Sequence, residues 1–168
     1  MGHEDHHAAA PPAVRVAVVS VSSTRTLAED ASGHWIAGEA RRKGHTVVDH
    51  RVVTDAEDAV RGALDAVLAD CGPDAVIVTG GTGITASDVT VEAVRPLFSK
   101  ELTAFAPLFA HLSFEQIGPA ALISRATAGL IGRAAVFCLP GSLKACQLAC
   151  ERLIFPELGH LCMHAAGR

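Results

Sequence analysis

The stretch Ala75-Val76-Ile77-Val78-Thr79-Gly80-Gly81-Thr82-Gly83 decides the fold. Its first four residues are apolar and mostly β-branched, too few for a helix and without polar alternation. That is the pattern of a strand covered on both faces, as in parallel sheets. The glycines that follow remove Cβ atoms, so backbone N–H groups can approach an anion closely, and the threonines add hydroxyl donors. A phosphate is the natural guest of such a turn; a turn rich in glycine for packing alone is the competing reading. Ligands of doubly wound folds sit at the carboxyl ends of the strands, where this loop lies. The spacings G-x-G-x-x-G and G-x-x-x-x-G-K-[ST] are both absent, which disfavours a dinucleotide dehydrogenase.

Upstream, Val14 to Val21 is another nearly continuous β-branched run, and a polar turn from Ser22 to Asp30 leads to a helix predicted over Ser32–Lys43. Trp35, Ile36, Glu39 and Ala40 carry its helical spacing, and Gly44 stops it. Thr46 to Val53 reads as strand. Thr54 or Asp55 is placed to cap a helix over Ala56–Cys71, whose apolar stripe is Val60, Ala63, Leu64, Val67 and Leu68. Three β-then-α units in succession imply a parallel, doubly wound α/β sheet.

Downstream, Val91, Val94, Leu97 and Phe98, then Phe105, Leu108, Phe109 and Leu112, recur at helical spacing, with Pro96 and Pro107 expected to break or reset the helices. Ala134 to Leu139 is a late buried strand, followed by Pro140-Gly141-Ser142 and a helix over about Leu143–Phe155. The Met, Phe and Trp residues read as core. Residues 1–12, rich in His, Ala and Pro, read as a disordered tail, and residues 13–168 as a single domain without internal repeat.

The chain of 168 residues is 49% hydrophobic, enough to bury a core without staples. Its net charge of −4, with both signs interspersed, offers no basic face to a nucleic-acid backbone. Five cysteines, four of them in apolar stretches, read as buried free thiols and favour a reducing cytoplasm. No apolar run is long enough to cross a bilayer, so neither a membrane nor a nucleic acid is expected as partner.

Several residues are candidates for chemistry. Asp88 stands just past the glycine loop, at an expected helix start, and Asp55 at the end of a strand. Each suits a helix cap, and together they suit Mg²⁺ against a nucleotide, since that ion takes one or two carboxylates plus substrate phosphates. Pro140-Gly141-Ser142 is either an ordinary strand-to-helix turn or a second source of N–H and hydroxyl donors. In Ser124-Arg125 the arginine is a bidentate donor suited to phosphate or simply a surface residue. Lys100, Glu101 and Lys144 are similarly open. His160-x-Cys162-x-His164, and His3, His6 and His7 beside Glu4 and Asp5, are weaker metal groupings, read mainly as a frayed terminus and a mobile tail.

Taken in order, Thr79-Gly80-Gly81-Thr82-Gly83, Asp88-Val89-Thr90, Ser124-Arg125, Ala128-Gly129 and Leu139-Pro140-Gly141-Ser142 resemble the MoaB/MogA family of molybdenum-cofactor biosynthesis, nearer its MoaB branch. Asp30-Ala31-Ser32-Gly33-His34, Gly44-His45, Leu112–Gly118 and Lys144-Ala145-Cys146 extend the resemblance from Val14 to about Leu161. It implies a three-layer αβα fold with a mostly parallel sheet, the MogA-like molybdopterin-binding fold. It also implies a molybdopterin adenylyltransferase, an enzyme that transfers AMP from Mg·ATP to molybdopterin and releases pyrophosphate. The alternative is a homologue of the same pathway that binds molybdopterin or nucleotide without catalysis. Under the resemblance Thr79, Gly80, Gly81, Thr82 and Gly83 cradle the nucleotide phosphates, and Asp55 and Asp88 hold Mg²⁺ as the catalytic pair. Ser124, Pro140, Gly141 and Ser142 help bind nucleotide or pterin, and the protein is a homo-oligomer, a trimer or a hexamer. The sequence departs from the family pattern at Ser23, where Asp is common, at Thr103-Ala104, where Pro-Gly is usual, and in Thr85-Ala86-Ser87 before Asp88, positions assigned to the rim of the pterin pocket.

Overall fold

The computed structural model describes residues 13–167. Strands β1 (Arg15–Val21), β2 (Thr46–Val53), β3 (Ala75–Thr79), β4 (Lys100–Glu101), β5 (Thr127–Ile131) and β6 (Ala134–Leu139) form one sheet in the order β2-β1-β3-β6-β5-β4. The first four strands of that order pair in parallel, whereas β5 pairs antiparallel with both β6 and β4. Alternate residues of the central strands feed two separate cores, because successive side chains of a strand point to opposite faces. Val16, Val18, Ile77, Phe137 and Leu139 face one cluster, which takes in α1 (Ala31–Arg42), α4 (Phe105–Ile117), α5 (Leu143–Ala149) and α6 (Phe155–Ala165). Ala17, Val19, Val76, Val78, Val136 and Cys138 face the other, under α2 (Glu57–Cys71) and α3 (Thr90–Val94). The result is the expected three-layer αβα arrangement. Each large apolar side chain buried in it contributes about 1.5–3 kcal/mol relative to exposure.

The sequence reading named no strand at Lys100–Glu101 or Thr127–Ile131, where the structure has β4 and β5. β5 carries Gly129, whose missing Cβ makes room for the Phe98 ring: a Cβ there would lie 2.4 Å from it. Pro96 does end a helix, in the 3₁₀ turn Arg95–Leu97. Pro107 does not, because it occupies the first turn of α4, where its missing N–H has no intrahelical acceptor to lose. The last helix does not stop at Phe155. It passes through one π turn, Cys150–Ile154, and continues as α6, so Pro156 shifts the hydrogen-bond spacing rather than ending the helix. Phe114 is not core either, being 58% exposed on α4. All five cysteines are free, and all but Cys71 are buried; burial pushes the Cys162 thiol up to about 12. No helix of the described residues is long and apolar enough to cross a membrane. The tail histidines His3, His6 and His7 lie outside the described residues.

One carboxylate ties three elements beneath the strand ends. Asp30, 2% exposed, caps α1 by accepting the Gly33 N–H at 3.0 Å. Its other oxygen accepts the Ser20 hydroxyl of β1 at 2.5 Å and His50 Nε2 of β2 at 2.7 Å. Gly33 must lack a side chain, since a Cβ would sit 2.0 Å from the same carboxylate. Burial pushes the Asp30 carboxyl up, yet the hydrogen bonds from Ser20, His50 and Gly33 outweigh it and hold the group below the ordinary carboxylate range. A lowered folded value means that the ionised group stabilises the fold above the unfolded value, near 4, and that this contribution is lost as pH falls through the folded one. Asp30→Asn is therefore expected to melt below the wild type at neutral pH, with the gap closing below about pH 4. A gap independent of pH in a series of thermal melts would show that charge is not what holds these elements together.

Candidate functional site

The loops leaving β1, β3 and β6 converge on an open cleft of about 510 Å³. Gly80, Gly81, Thr82 and Gly83 line it from the β3 side, Pro140, Gly141 and Ser142 from the β6 side, and Asp55, Asp88 and Ser124 close it. Thus, of the residues that the resemblance assigns to nucleotide, pterin and Mg²⁺, all but Thr79 line one cleft. Thr79 faces away: its hydroxyl donates to the Pro140 carbonyl at 3.0 Å and lies 3.1 Å from Cys146 Sγ, which fastens the β3 loop to the β6 turn.

The glycine loop has a definite polarity. Gly80 and Gly81 adopt φ of 95° and 64°, and a Cβ on Gly80 would lie 2.3 Å from the Val21 carbonyl oxygen. Every carbonyl of the loop is engaged from behind. Gly80 O accepts the Thr90 hydroxyl at 2.7 Å and Gly81 O the Thr90 N–H at 2.9 Å. Thr82 O and Gly83 O both accept Arg125 Nε at 2.9 Å. On the donor side, Gly80 N–H reaches Leu139 O at 2.9 Å, and Gly83 N–H donates to Asp88. The N–H groups of Gly81 and Thr82 have no acceptor among the described residues. With carbonyls withdrawn and two donors left over after the positive-φ turn at Gly80 and Gly81, the loop is suited to receive an anion.

The structure revises several side-chain assignments. Arg125 is not a donor awaiting phosphate, because beyond the two loop carbonyls it forms a bidentate pair with Glu92 at 2.5 and 3.1 Å. Asp88 does not cap a helix: α3 starts at Thr90, and Asp88 Oδ2 instead accepts the N–H and hydroxyl of Thr85 at 2.8 and 2.6 Å. These hydrogen bonds from Thr85, joined by one from Gly83 and by the Arg125 charge, hold Asp88 below the ordinary carboxylate range, so it is ionised at neutral pH. Neither Thr54 nor Asp55 caps α2, whose N-cap is Ala56. Asp55 Oδ2 accepts the Ser23 N–H at 2.8 Å while its own N–H donates to Ser23 Oγ at 3.1 Å, a reciprocal clasp between the β1 and β2 loops. Two ionisable carboxylates on one cleft supply the hard oxygen ligands that Mg²⁺ takes, with room for phosphates and water to complete its shell. Ser142 accepts the Ala145 N–H at 3.3 Å as N-cap of α5, which leaves its hydroxyl hydrogen for a ligand.

The β1 loop escaped the sequence reading. Val21, Ser22, Thr24 and Arg25 also line the cleft, and the strand-end rule applied to β3 would have found them after β1. Lys144 lies elsewhere, on a second groove of about 480 Å³ with Gln116 and Arg152, and Glu101 pairs with Arg95. In the C-terminal grouping Cys162 is buried and donates to Asp74 O at 3.4 Å, so it does not join His160 and His164. Among the described residues no group of three or more His, Cys, Asp or Glu is placed to hold a metal.

The family described as "Probable molybdopterin binding domain" matches residues 17–160. The chain belongs to the MoaB/MogA family. Molybdenum cofactor biosynthesis protein B of Bacillus subtilis is 46% identical over 162 residues, 96% of this chain and 95% of that protein. Its namesake in Escherichia coli K12 is 42% identical over 144 residues, 86% and 85% of the two chains. A crystal structure of molybdenum cofactor biosynthesis protein B superposes with a TM-score of 0.91 at 41% identity, covering 95% of this chain and 99% of that one. The tungsten cofactor synthesizing protein MoaB of Pyrococcus furiosus gives 0.84 at 38% identity, covering 93% and 99%. A role in molybdenum-cofactor biosynthesis follows from these matches.

Within the MoaB/MogA family, the departure at Ser23 has a structural reading: the serine completes the clasp with Asp55 without adding a third carboxylate to the cleft. Thr103-Ala104 stand at the start of α4, with Ala104 as its N-cap, and do not line the cleft. Thr85 serves the site indirectly through Asp88. Gly80 is the least replaceable position, and Gly80→Ala is expected to lose roughly 1–3 kcal/mol of stability from its backbone conformation, and more from the contact with Val21. Chemical denaturation measures this directly; a loss under 0.5 kcal/mol, roughly the scale of an ordinary surface change, would mean the loop relaxes freely.

Proposed function

We propose that the protein is a molybdopterin adenylyltransferase that uses this cleft to join AMP to the phosphate of molybdopterin. The observation that carries the reading is the loop with its carbonyls bound from behind and the N–H groups of Gly81 and Thr82 unspent, set between two carboxylates. A cleft of about 510 Å³ also falls in the range of small-molecule sites. The N–H groups of Gly81 and Thr82, with the Ser124 and Ser142 hydroxyls, would hold and orient the phosphate chain of ATP. Asp55 and Asp88 would hold Mg²⁺, which supplies neutralisation of phosphate charge. A terminal oxygen of the molybdopterin phosphate forms a bond to the α-phosphorus of ATP as the bond from that phosphorus to the bridging oxygen breaks, and pyrophosphate departs with the electron pair. The attacking phosphate is already anionic at neutral pH, so positioning and charge neutralisation replace a general base.

Adenylylation of molybdopterin by the purified protein with Mg·ATP, followed as pyrophosphate release, tests this. Asp55→Asn and Asp88→Asn should each lower turnover by about 100-fold or more while leaving the melting temperature within a few degrees of wild type. Molybdopterin held firmly with no pyrophosphate released would favour a binding protein of the same pathway instead.

We also propose that copies of the chain assemble, as a trimer or a hexamer, and work in the cytoplasm. Five free thiols suit a reducing compartment. The C-terminal half of α4 and the 3₁₀ turn Gly118–Ile123 expose Phe114, Ile117, Leu122 and Ile123, the second to the fourth of these at 52%, 90% and 57%. So many large apolar side chains on one short stretch are unusual for a face left to water. Sedimentation velocity is expected to show an oligomer in the wild type and a monomer in Phe114→Asp/Leu122→Asp, with unchanged helix content; a monomeric wild type would refute the assembly.

A further inference from the structure

Two arginines lie near the cleft, and their situations are opposite. Arg125 spends its donors on Thr82, Gly83 and Glu92, so its charge is offset and its head is fixed behind the glycine loop. Arg25 is the only basic side chain lining the cleft among the described residues. Its guanidinium has no hydrogen bond or ion pair within them, although arginine carries five donors. Its root, in contrast, is held: the Arg25 N–H donates to Ser22 Oγ at 3.2 Å, and the neighbouring Ser23 is clasped to Asp55. Arg25 also lines the small cavity that continues from the cleft toward Ser20, Asp30 and Ser32.

A charge count shows what such an arm is for. Asp55 and Asp88 bring two negative charges to the cleft, and a divalent cation held between them would offset only those. A phosphate chain would then meet the neutral donors of Gly81, Thr82, Ser124 and Ser142 and, among the described residues, one positively charged side chain of the cleft lining, Arg25. Depth sets the order along the chain: Thr82 is buried, whereas Arg25 is exposed at the rim. A phosphate chain running outward from Thr82 would place its departing end nearer solvent, beside Arg25.

We propose that Arg25 is a phosphate-binding arm that closes on the terminal, departing phosphates of the nucleotide, with its planar fork bridging two phosphate oxygens. The inference rests on the nucleotide reading of the cleft but requires no turnover. Inorganic pyrophosphate, ATP and AMP, each with Mg²⁺, are titrated calorimetrically into the full chain as wild type, Arg25→Ala and Arg25→Lys. Arg152→Ala, on the second groove, controls for a general loss of positive charge. Arg25→Ala should weaken pyrophosphate and ATP by about 10-fold or more, as loss of a charge-assisted bidentate contact does, while AMP changes by less than about 3-fold. Lysine at position 25 should recover part of the loss, and Arg152→Ala should match wild type. Because the Arg25 side chain makes no hydrogen bond or ion pair among the described residues, the variants should melt within a few degrees of the wild type. Unchanged pyrophosphate and ATP binding in Arg25→Ala would overturn the assignment and leave the nucleotide site standing. Equal weakening of AMP would overturn it too, by showing a general field effect. Wild type that binds none of the three would remove the nucleotide reading and the assignment together.

Discussion

Everything at the site depends on how closely three strands can end together. β1, β3 and β6 run in parallel, so their carboxyl ends stand at one level, and the chain must turn away from all three within a few ångströms. Gly80 is where this is resolved: its N–H binds the last carbonyl of β6, and the space beside its Cα is filled by the last carbonyl of β1. Gly141 packs against the same atom, where a Cβ would come within 3.2 Å of Gly80 Cα. No side chain fits at Gly80, and one at Gly141 would be tight. The convergence that demands glycine also leaves the next two N–H groups without an acceptor among the described residues, so packing of the sheet and fitness for an anion arise from one constraint.

Around that junction, polar side chains are spent on holding loops rather than on the guest. Thr79, Thr90 and Arg125 fix the glycine loop from the side and behind, Ser23 fixes Asp55, and Thr85 fixes Asp88. The arrangement places preorganisation ahead of strength: the groups left for a ligand are few, and their positions are set before it arrives. Such a site suits a reaction in which both partners are already charged and reactive and lack only alignment.

The parallel part of the fold was legible because its strands are covered on both faces, and burial on both sides writes continuous apolar runs such as Val16–Val19 and Val76–Val78. The antiparallel edge was not, since β4 has only two residues, both exposed, and β5 holds a glycine chosen for Phe98 rather than for strand propensity. The glycine loop and the two aspartates could be named from residue type and position. What those aspartates bind locally could not, because Ser23 and Asp55 are 32 residues apart and meet only through strand pairing. The same holds for Arg125, whose partners in the glycine loop lie 42 and 43 residues before it. Residue type left a phosphate donor and a surface residue open, and tertiary structure gave the side chain a third task.

The order of the strands has a consequence at the margins of the sheet. One margin is β2, which carries Asp49 and Arg51 paired to each other at 2.6 Å. The other is β4, two exposed residues long and made of a lysine and a glutamate. Charged or very short margins resist the addition of a foreign strand, since an incoming backbone would have to displace solvated charge for few hydrogen bonds. The margins thereby disfavour extension of the sheet from molecule to molecule, and they leave side chains of the helical layers, rather than open backbone, as the surface that a second molecule could recognise.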